Sequence, residues 1–390
     1  MLRNGMDVGR RGNARTLGGV ALLVALILVP AAASAAPGGT GKQLRSALDE
    51  VMSVPDGPPG ISLLIQRRGE KQFLRRGVAN IETGTRPQRG QRYRIASMSK
   101  ALSGAIALKL VSRDKLELDD TIGELLPGVL PLVDDVTLGQ VLQHTGSVPD
   151  FIKDPAFLAE LELDPTQYMT PLELVGFVAG TEPEFDPGER YEYSDTDNLV
   201  VGLMAEAATG MPYDGLLERH VYSKLGLGDT TLPDTIAMPD PYMRGYHVSA
   251  HAPPEDVSGA LNPALAWASG GIVSTAVEVN RFFRAYVAGD LFKKRERRAQ
   301  RQLVIGSSSP PGPGRNRAGL GLFRYKTHCG TVFGHTGSYP GYRVFAASTA
   351  NGRRSVVFTA NAQIVPGSGS QEVSDLIRHA QVDAVCHALR

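Results

Sequence analysis

Apolar positions take a strand-like pattern toward both ends of the chain and a helical period in the middle. Ile61-Ser-Leu-Leu-Ile-Gln and Gln72-Phe-Leu-Arg-Arg-Gly-Val-Ala read as strands, with a hairpin at Arg68-Gly69-Glu70. Strand signals return at Leu320-Gly-Leu-Phe-Arg-Tyr, Thr331-Val-Phe, Tyr342-Arg-Val-Phe-Ala-Ala and Ser355-Val-Val-Phe-Thr-Ala, and Asn351-Gly352 is a hairpin turn joining the last two. Between these ends, Thr137-x-x-Gln140 and Thr170-Pro171-x-Glu173 are capping boxes that start helices. Asp195 or Thr196 caps a run from Leu199 to Ala208 that stops at Gly210, and Thr275-x-x-Glu278 starts a helix through Tyr286. Val373, Leu376, Ile377, Ala380 and Ala384 share one face of a closing helix. The pattern predicts an α+β fold, an α/β sandwich. Its antiparallel sheet is built from both chain ends (about 41–115 plus 265–390), flanked by helices, with a mostly helical insertion over about 116–264.

The first residues read as an address. Arg3, Arg10, Arg11 and Arg15 precede an uncharged run from Leu17, and Ala33-Ser34-Ala35 fits a cleavage site. The uncharged stretch of 20 residues from Leu17 to Ala36 just reaches the length of a membrane span, but Gly18, Gly19, Pro30 and the closing small residues favour cleavage. A signal peptide over 1–35 is therefore expected, with a catalytic body over 36–390. That body would be exported, secreted or held in the cell envelope, with no stable membrane span after cleavage. Composition agrees with a globular body: 42% of residues are hydrophobic and 21% charged. The formal charge of +1 leaves no global field for nucleic acid, and the basic run Lys293-Lys-Arg-Glu-Arg-Arg reads as a solvated helix end before a loop.

Two cysteines exclude a disulfide-built scaffold. Outside the cytosol, Cys329 and Cys386 form an even pair, and a disulfide is the leading reading. Two free thiols, or a zinc site with His328 and His387, are the alternatives. Adjacent strand residues face opposite ways, which argues against His328 and Cys329 sharing an ion. No metal and no cofactor are expected.

The chain lacks G-x-S-x-G, H-E-x-x-H, G-x-x-x-x-G-K-[ST] and G-x-G-x-x-G, so α/β-hydrolase, zincin, P-loop and dinucleotide readings lose their main support. Ser97-Met98-Ser99-Lys100 is an S-x-x-K, whose spacing puts a hydroxyl and an amine on one helix face. A desolvated Lys can accept the Ser proton and make it an acylating nucleophile. Ser112-x-x-Lys115 matches too, but it lies in the charged stretch where the apolar helix from Ala101 to Val111 ends. Tyr193-Ser194-Asp195 offers a proton-sharing phenol and a carboxylate for the Lys100 amine. His335-Thr336-Gly337 lies among strand signals, where an edge could present the Thr336 hydroxyl and backbone N–H groups, and Gly337 would let a substrate approach. His144-Thr145-Gly146 repeats the triplet, but it ends a short helix before a Pro-containing loop.

Together, Ser97-x-x-Lys100, Tyr193-x-Asp195 and His335-Thr-Gly, in this order, resemble the serine beta-lactamase and penicillin-recognising D-alanyl-D-alanine carboxypeptidase family, nearest to its class C-like members. The likeness runs from about Gln43 to Ala388 and includes Leu142-Gln-His-Thr-Gly, Pro187-Gly188, Ser269-Gly-Gly-Ile-Val-Ser-Thr and Gly334-His-Thr-Gly-Ser-Tyr-Pro-Gly. It implies a beta-lactamase/transpeptidase-like fold with Ser97 as nucleophile, Lys100 as proton acceptor and Tyr193 as relay to the leaving group. The N–H groups of Ser97 and Ser338 would form the oxyanion hole. Asp195, His335, Thr336, Gly337 and Ser338 would contact substrate, and Arg324 is a candidate dock for a terminal carboxylate.

Two departures from the family pattern carry consequences. Asp195 often stands as Asn, and a carboxylate would hold Lys100 charged more strongly. His335 often stands as Lys; with an ordinary histidine pKa near 6.5, it would favour carboxylate-bearing substrates as pH falls. The expected function is an exported serine hydrolase acting as a D-alanyl-D-alanine carboxypeptidase on peptidoglycan stem peptides, with beta-lactam binding possible. The alternatives are an esterase, beta-lactamase or D-amino-acid amidase on another small acyl substrate, or a non-catalytic peptidoglycan-binding homologue.

Overall fold

Apolar residues fill the strands on both sides because both faces of the main sheet are covered. The computed structural model describes residues 41–304, 309–364 and 371–390; the expected signal peptide lies outside them. Seven strands make one antiparallel sheet: β1 (Gly60–Arg67), β2 (Glu70–Gly77), β7 (Arg315–Gly319), β8 (Leu322–Thr327), β9 (Gly330–Tyr339), β10 (Tyr342–Ser348) and β11 (Ser355–Ala360), in the order β2-β1-β11-β10-β9-β8-β7. The sheet is thus assembled from both chain ends, as the pattern predicted. On β1, Ile61, Leu63 and Ile65 pack with Leu44 and Leu48 of the Gly41–Ser53 helix and Val373 and Ile377 of the Gln371–Leu389 helix. Leu64 turns to the other face, joining a core built on the Ser99–Val111 and Thr196–Thr209 helices.

The Ser99–Val111 helix is buried at every position except Lys109. It has no polar face because it runs through the middle of the molecule. Gly104 makes this possible: a Cβ there would lie 2.6 Å from Tyr286 Oη and 3.0 Å from Gly321 Cα. Both expected capping boxes are present, Thr137 with Gln140 and Thr170 with Glu173.

Several elements differ from the sequence reading. Leu320 and Gly321 are the turn between β7 and β8 rather than strand, and β7 occupies part of the stretch after the basic run whose sequence reads as loop. Its polar Arg315-Asn-Arg start hides a strand in which Asn316 is buried. The basic run is helical as read, in a separate helix Lys294–Gln300, but Glu296 and Gln300 within it are buried rather than solvated. Two small ribbons, β3 (Arg92–Arg94) with β6 (Val273–Thr275) and β4 (Tyr246–Ser249) with β5 (Ala252–Asp256), carried no strand signal; β5 is exposed throughout and holds two prolines.

Cys329 and Cys386 are joined by a disulfide, tying the β8–β9 turn to the last helix. His328 lies in that turn, not on a strand, and its Nε2 approaches Cys386 Sγ at 3.4 Å. The opposite-face objection to a shared metal therefore fails, but the sulfurs are committed to each other. Among the described residues, no helix is long and apolar enough to cross a membrane.

Candidate active site

The site begins where β3 hands the chain to a tight turn. Ala96–Met98 is a single 3-10 turn leading into the Ser99–Val111 helix, and Ala96 has φ 52°, a left-handed conformation that costs a non-glycine residue energy. Met98 is buried and anchors the turn, while Ser97 is partly exposed at the positive end of the helix. Gly337 of β9 packs directly on this turn. A Cβ at 337 would lie 2.8 Å from Ile95 O and 2.9 Å from the Ala96 Cβ. Glycine is required there by the close approach of two backbones.

One helical step beyond Ser97, Lys100 is wholly buried. Its Nζ donates to Asp195 Oδ1 at 2.5 Å and to the Ser269 carbonyl oxygen at 3.0 Å, and it lies 5.0 Å from the centre of the Tyr193 ring. Asp195 stands at the start of the Thr196–Thr209 helix but does not cap it with its side chain. Its carboxylate is spent on the lysine instead. The Tyr193 hydroxyl is held well above its ordinary pKa, first by burial and then by the Asp195 charge, with the neighbouring Ser97 hydroxyl opposing the rise. A hydroxyl, an amine and a phenol are thus gathered around Tyr193, which neighbours both Ser97 and Lys100.

β9 closes the site. It pairs with β10 from Phe333 through Tyr339, but its pairing with β8 ends at Gly334. Residues 335–339 therefore present one backbone edge without a β8 partner, suited to pairing with an extended substrate. His335 is 1% exposed, and its Nδ1 donates to the Thr336 carbonyl at 2.5 Å. Burial lowers its pKa to about 3. The expectation of a titration near 6.5 is overturned: His335 is neutral across the physiological range, and its Nε2 is left as an acceptor. Phe323, 4.9 Å from the His335 ring, and Tyr191 line an aromatic wall beside it. Thr336 is buried beside Tyr325. Ser338 is partly exposed and receives a hydrogen bond from Gln363 at 3.3 Å. Arg324 does not join them. Strand alternation turns it away from Phe323 and Tyr325, and it stands opposite Phe333 and Arg317.

The competing S-x-x-K is structural. Ser112 accepts the Lys293 backbone N–H at 3.0 Å, and Lys115 is exposed.

A family model described as Beta-lactamase matches residues 48–374, most of the chain. The chain belongs to the beta-lactamase family. Among solved structures, it resembles a D-stereospecific amidohydrolase from Streptomyces sp., 30% identical, with a TM-score of 0.76 over 87% of this chain and 97% of that one. A penicillin binding protein from Bacillus halodurans shares the fold at 18% identity, with a TM-score of 0.71 over 86% of this chain and 98% of the other. A curated relative, the D-alanyl-D-alanine-carboxypeptidase/endopeptidase AmpH of Escherichia coli (strain K12), is 25% identical over 261 residues, 64% of this chain and 63% of its own length. Two further relatives from Escherichia coli are matched over 45% and 46% of theirs, so the chain spans less than two thirds of the curated relatives it matches.

In this beta-lactamase-family site, sequence reasoning missed a second layer. His144 Nδ1 and Asp197 Oδ2 are 2.7 Å apart and both buried, and the His144 ring lies 4.6 Å from the Tyr193 ring. Burial lowers the His144 pKa and raises that of Asp197, so both favour their neutral forms. The His144 triplet, read from sequence as a helix end, therefore backs Tyr193. Asp150 accepts the Asp195 backbone N–H at 3.0 Å, and burial with the Asp195 charge raises its pKa to about 7. Ser269, quoted in the resemblance without a role, supplies the second acceptor of Lys100.

Proposed function

We propose that the chain is an exported serine hydrolase that cleaves amide bonds beside a D-configured residue through a Ser97 acyl-enzyme. The observation that carries the acyl-enzyme route is the buried Lys100 side chain, held by Asp195 and the Ser269 carbonyl one helical step from Ser97 and against Tyr193. As the free amine, Lys100 takes the Ser97 proton while the hydroxyl attacks the carbonyl. Tyr193 passes a proton to the departing amine, and the N–H groups of Ser97 and Ser338 stabilise the oxyanion. Water then repeats the attack and releases the acid. The carboxypeptidase reading, with D-alanyl-D-alanine stem peptides as substrate, is supported by the name of the Escherichia coli relative. An amidase reading has its own support in the Streptomyces amidohydrolase, covered over nearly its whole length. Cleavage of the signal segment after Ala35 belongs to the same proposal.

The test is intact mass after incubation with a fluorescent penicillin, beside Ser97→Ala and Ser112→Ala. An adduct lost only in Ser97→Ala supports the acyl-enzyme route. No adduct, together with no hydrolysis of aryl esters or D-alanyl-D-alanine peptides, would leave a binding homologue.

A further inference from the structure

The far end of the central helix carries positive charge that no neighbouring carboxylate answers. Lys109 is the one position of the Ser99–Val111 helix that is not buried, and Arg113 follows it one turn later, past the Ser112 cap. The helix packs against a π-turn, Glu218–Tyr222, which leads into the short helix Ser223–Leu225. That turn is closed by a hydrogen bond from the Ser223 N–H to the Glu218 carbonyl, so Arg219 and Lys224 lie one π-turn apart. Both are exposed, while His220 between them is buried.

Among the described residues, no ion pair reaches Lys109, Arg113, Arg219 or Lys224. The carboxylates next to them in sequence are engaged elsewhere: Asp114 lies 3.9 Å from Lys293 Nζ, and Glu218 accepts from the Ser223 hydroxyl. The four cations act on one point. Burial lowers the His220 pKa, and Arg113, Arg219, Lys109 and Lys224 lower it further. Lys109 is lowered by burial and then by Arg113 and Lys224. Such effects are screened beyond roughly 10 Å, so two adjacent segments hold four like charges around one ring. A second feature at the same place is independent of charge. His220 is 5% exposed, and its Nδ1 has no hydrogen-bond partner. A buried ring nitrogen without a partner carries a desolvation cost that a bound ligand would remove. It stands on a π-turn, a rare element that recurs at functional positions.

We propose that Lys109, Arg113, Arg219 and Lys224 form a binding site for a phosphate group, with His220 at its base. Two guanidinium groups match phosphate oxygens in pairs, and two ammonium groups add compact positive charge. Four cations around one point suit a multiply charged anion and exceed what a single carboxylate needs. The phosphate arrives either as a free ester or as the headgroup of an anionic lipid, and the contacting chemistry is the same. This site is separate from the acyl-transfer site. Lys109 lies nine residues beyond Lys100 on the same helix, roughly 13 Å along its axis. The proposal therefore does not depend on the reading of Ser97.

Calorimetric titration of the full chain with inorganic phosphate tests the site, with ionic strength held constant by chloride so that screening does not change. Arg113→Gln/Arg219→Gln removes two of the four cations. Lys294→Gln/Arg298→Gln removes the same charge from another exposed basic stretch and serves as the control. Melting curves check that each variant is folded. Phosphate should bind the parent and the control alike and raise the melting temperature of both. It should bind Arg113→Gln/Arg219→Gln about tenfold more weakly or worse. The ring resonances of His220, assigned by their loss in His220→Gln, should shift as phosphate is added. Cosedimentation with phosphatidylglycerol vesicles separates the two sources. Capture of the parent but not of Arg113→Gln/Arg219→Gln places the phosphate on a lipid, whereas phosphate binding without capture places it on a free ester. No binding of phosphate overturns the site, as does equal weakening in the two double variants or a His220 ring unmoved at saturating phosphate.

Discussion

Lys100 Nζ and Asp195 Oδ1 lie 2.5 Å apart in a corner where the lysine has no solvent exposure. This contact is the physical content of the sequence departure at 195. Asp195→Asn keeps the shape and an acceptor for Nζ but removes the charge. On the proposed scheme, in which Lys100 acts as a free amine, Asp195→Asn should acylate with an aryl ester at least as fast as the parent protein. Pre-steady-state acylation at pH 7 measures it, and a large loss of acylation in folded Asp195→Asn would show that the carboxylate charge itself is required.

His335 makes a different pH prediction. With its pKa lowered to about 3, it carries no charge that could recruit a substrate carboxylate above pH 5. KM for a carboxylate-bearing peptide should be flat between pH 5.5 and 8 as far as this residue is concerned. The same shift acts on stability. A histidine whose folded pKa is depressed contributes stability that is present above about 6.5 and lost as pH falls toward about 3. Each unit of pH within that window is worth about 1.4 kcal/mol at most. His335→Gln should flatten the acid side of the urea-unfolding free energy, and an unchanged slope would contradict the buried, neutral ring.

How much of this site can be read along the chain follows from the range of its contacts. Ser97 and Lys100 are legible because three residues on a helix make them neighbours. Tyr193, Asp195 and His335 gain meaning only in combination, since each alone reads equally well as turn, cap or core. The layer behind them is silent in sequence: His144 meets Asp197 across 53 residues, and Asp150 meets Asp195 across 45. Both pairings are made by folding the helical region against itself. A Gly146-Ser-Val-Pro-Asp loop carries no chemical signature until it is brought under Tyr193. β7 was missed for the reverse reason, as Asn316 fills a buried position where the alternation rule expects an apolar side chain.

The disulfide should matter for stability and hardly at all for chemistry. It closes a loop of 57 residues between the β8–β9 turn and the last helix, which on chain-entropy grounds is worth about 4 kcal/mol. Cys329 is six residues from His335 along an extended strand, roughly 20 Å at the usual rise. A Cys329→Ser/Cys386→Ser protein should unfold at a lower urea midpoint, its unfolding free energy reduced by about 2–4 kcal/mol, while keeping kcat/KM within about twofold at 25 °C. A large loss of kcat/KM in folded protein would mean that the hairpin transmits strain along β9 to the site.

Gly337 tests whether the fit of β9 on the turn carrying Ser97, the proposed nucleophile, sets the reaction geometry. A methyl group there would meet Val344 Cγ2 at 2.7 Å, Ile95 O at 2.8 Å and Ala96 Cβ at 2.9 Å. Two of the three belong to the turn that carries Ser97, and Ala96 is already in a left-handed conformation with little freedom to yield. The strand must therefore move away by a few tenths of an ångström or more. Overpacking of this kind costs about 1–3 kcal/mol of stability. Its effect on catalysis should be larger, because a shift of about 1 Å between nucleophile and oxyanion donors can cost about a hundredfold in rate. Gly337→Ala should thus fold with a modestly lower melting temperature, still bind substrate, and lose at least tenfold in kcat. If kcat is preserved and only stability falls, β9 is a wall of the cleft and Ser338 N–H is not the oxyanion donor.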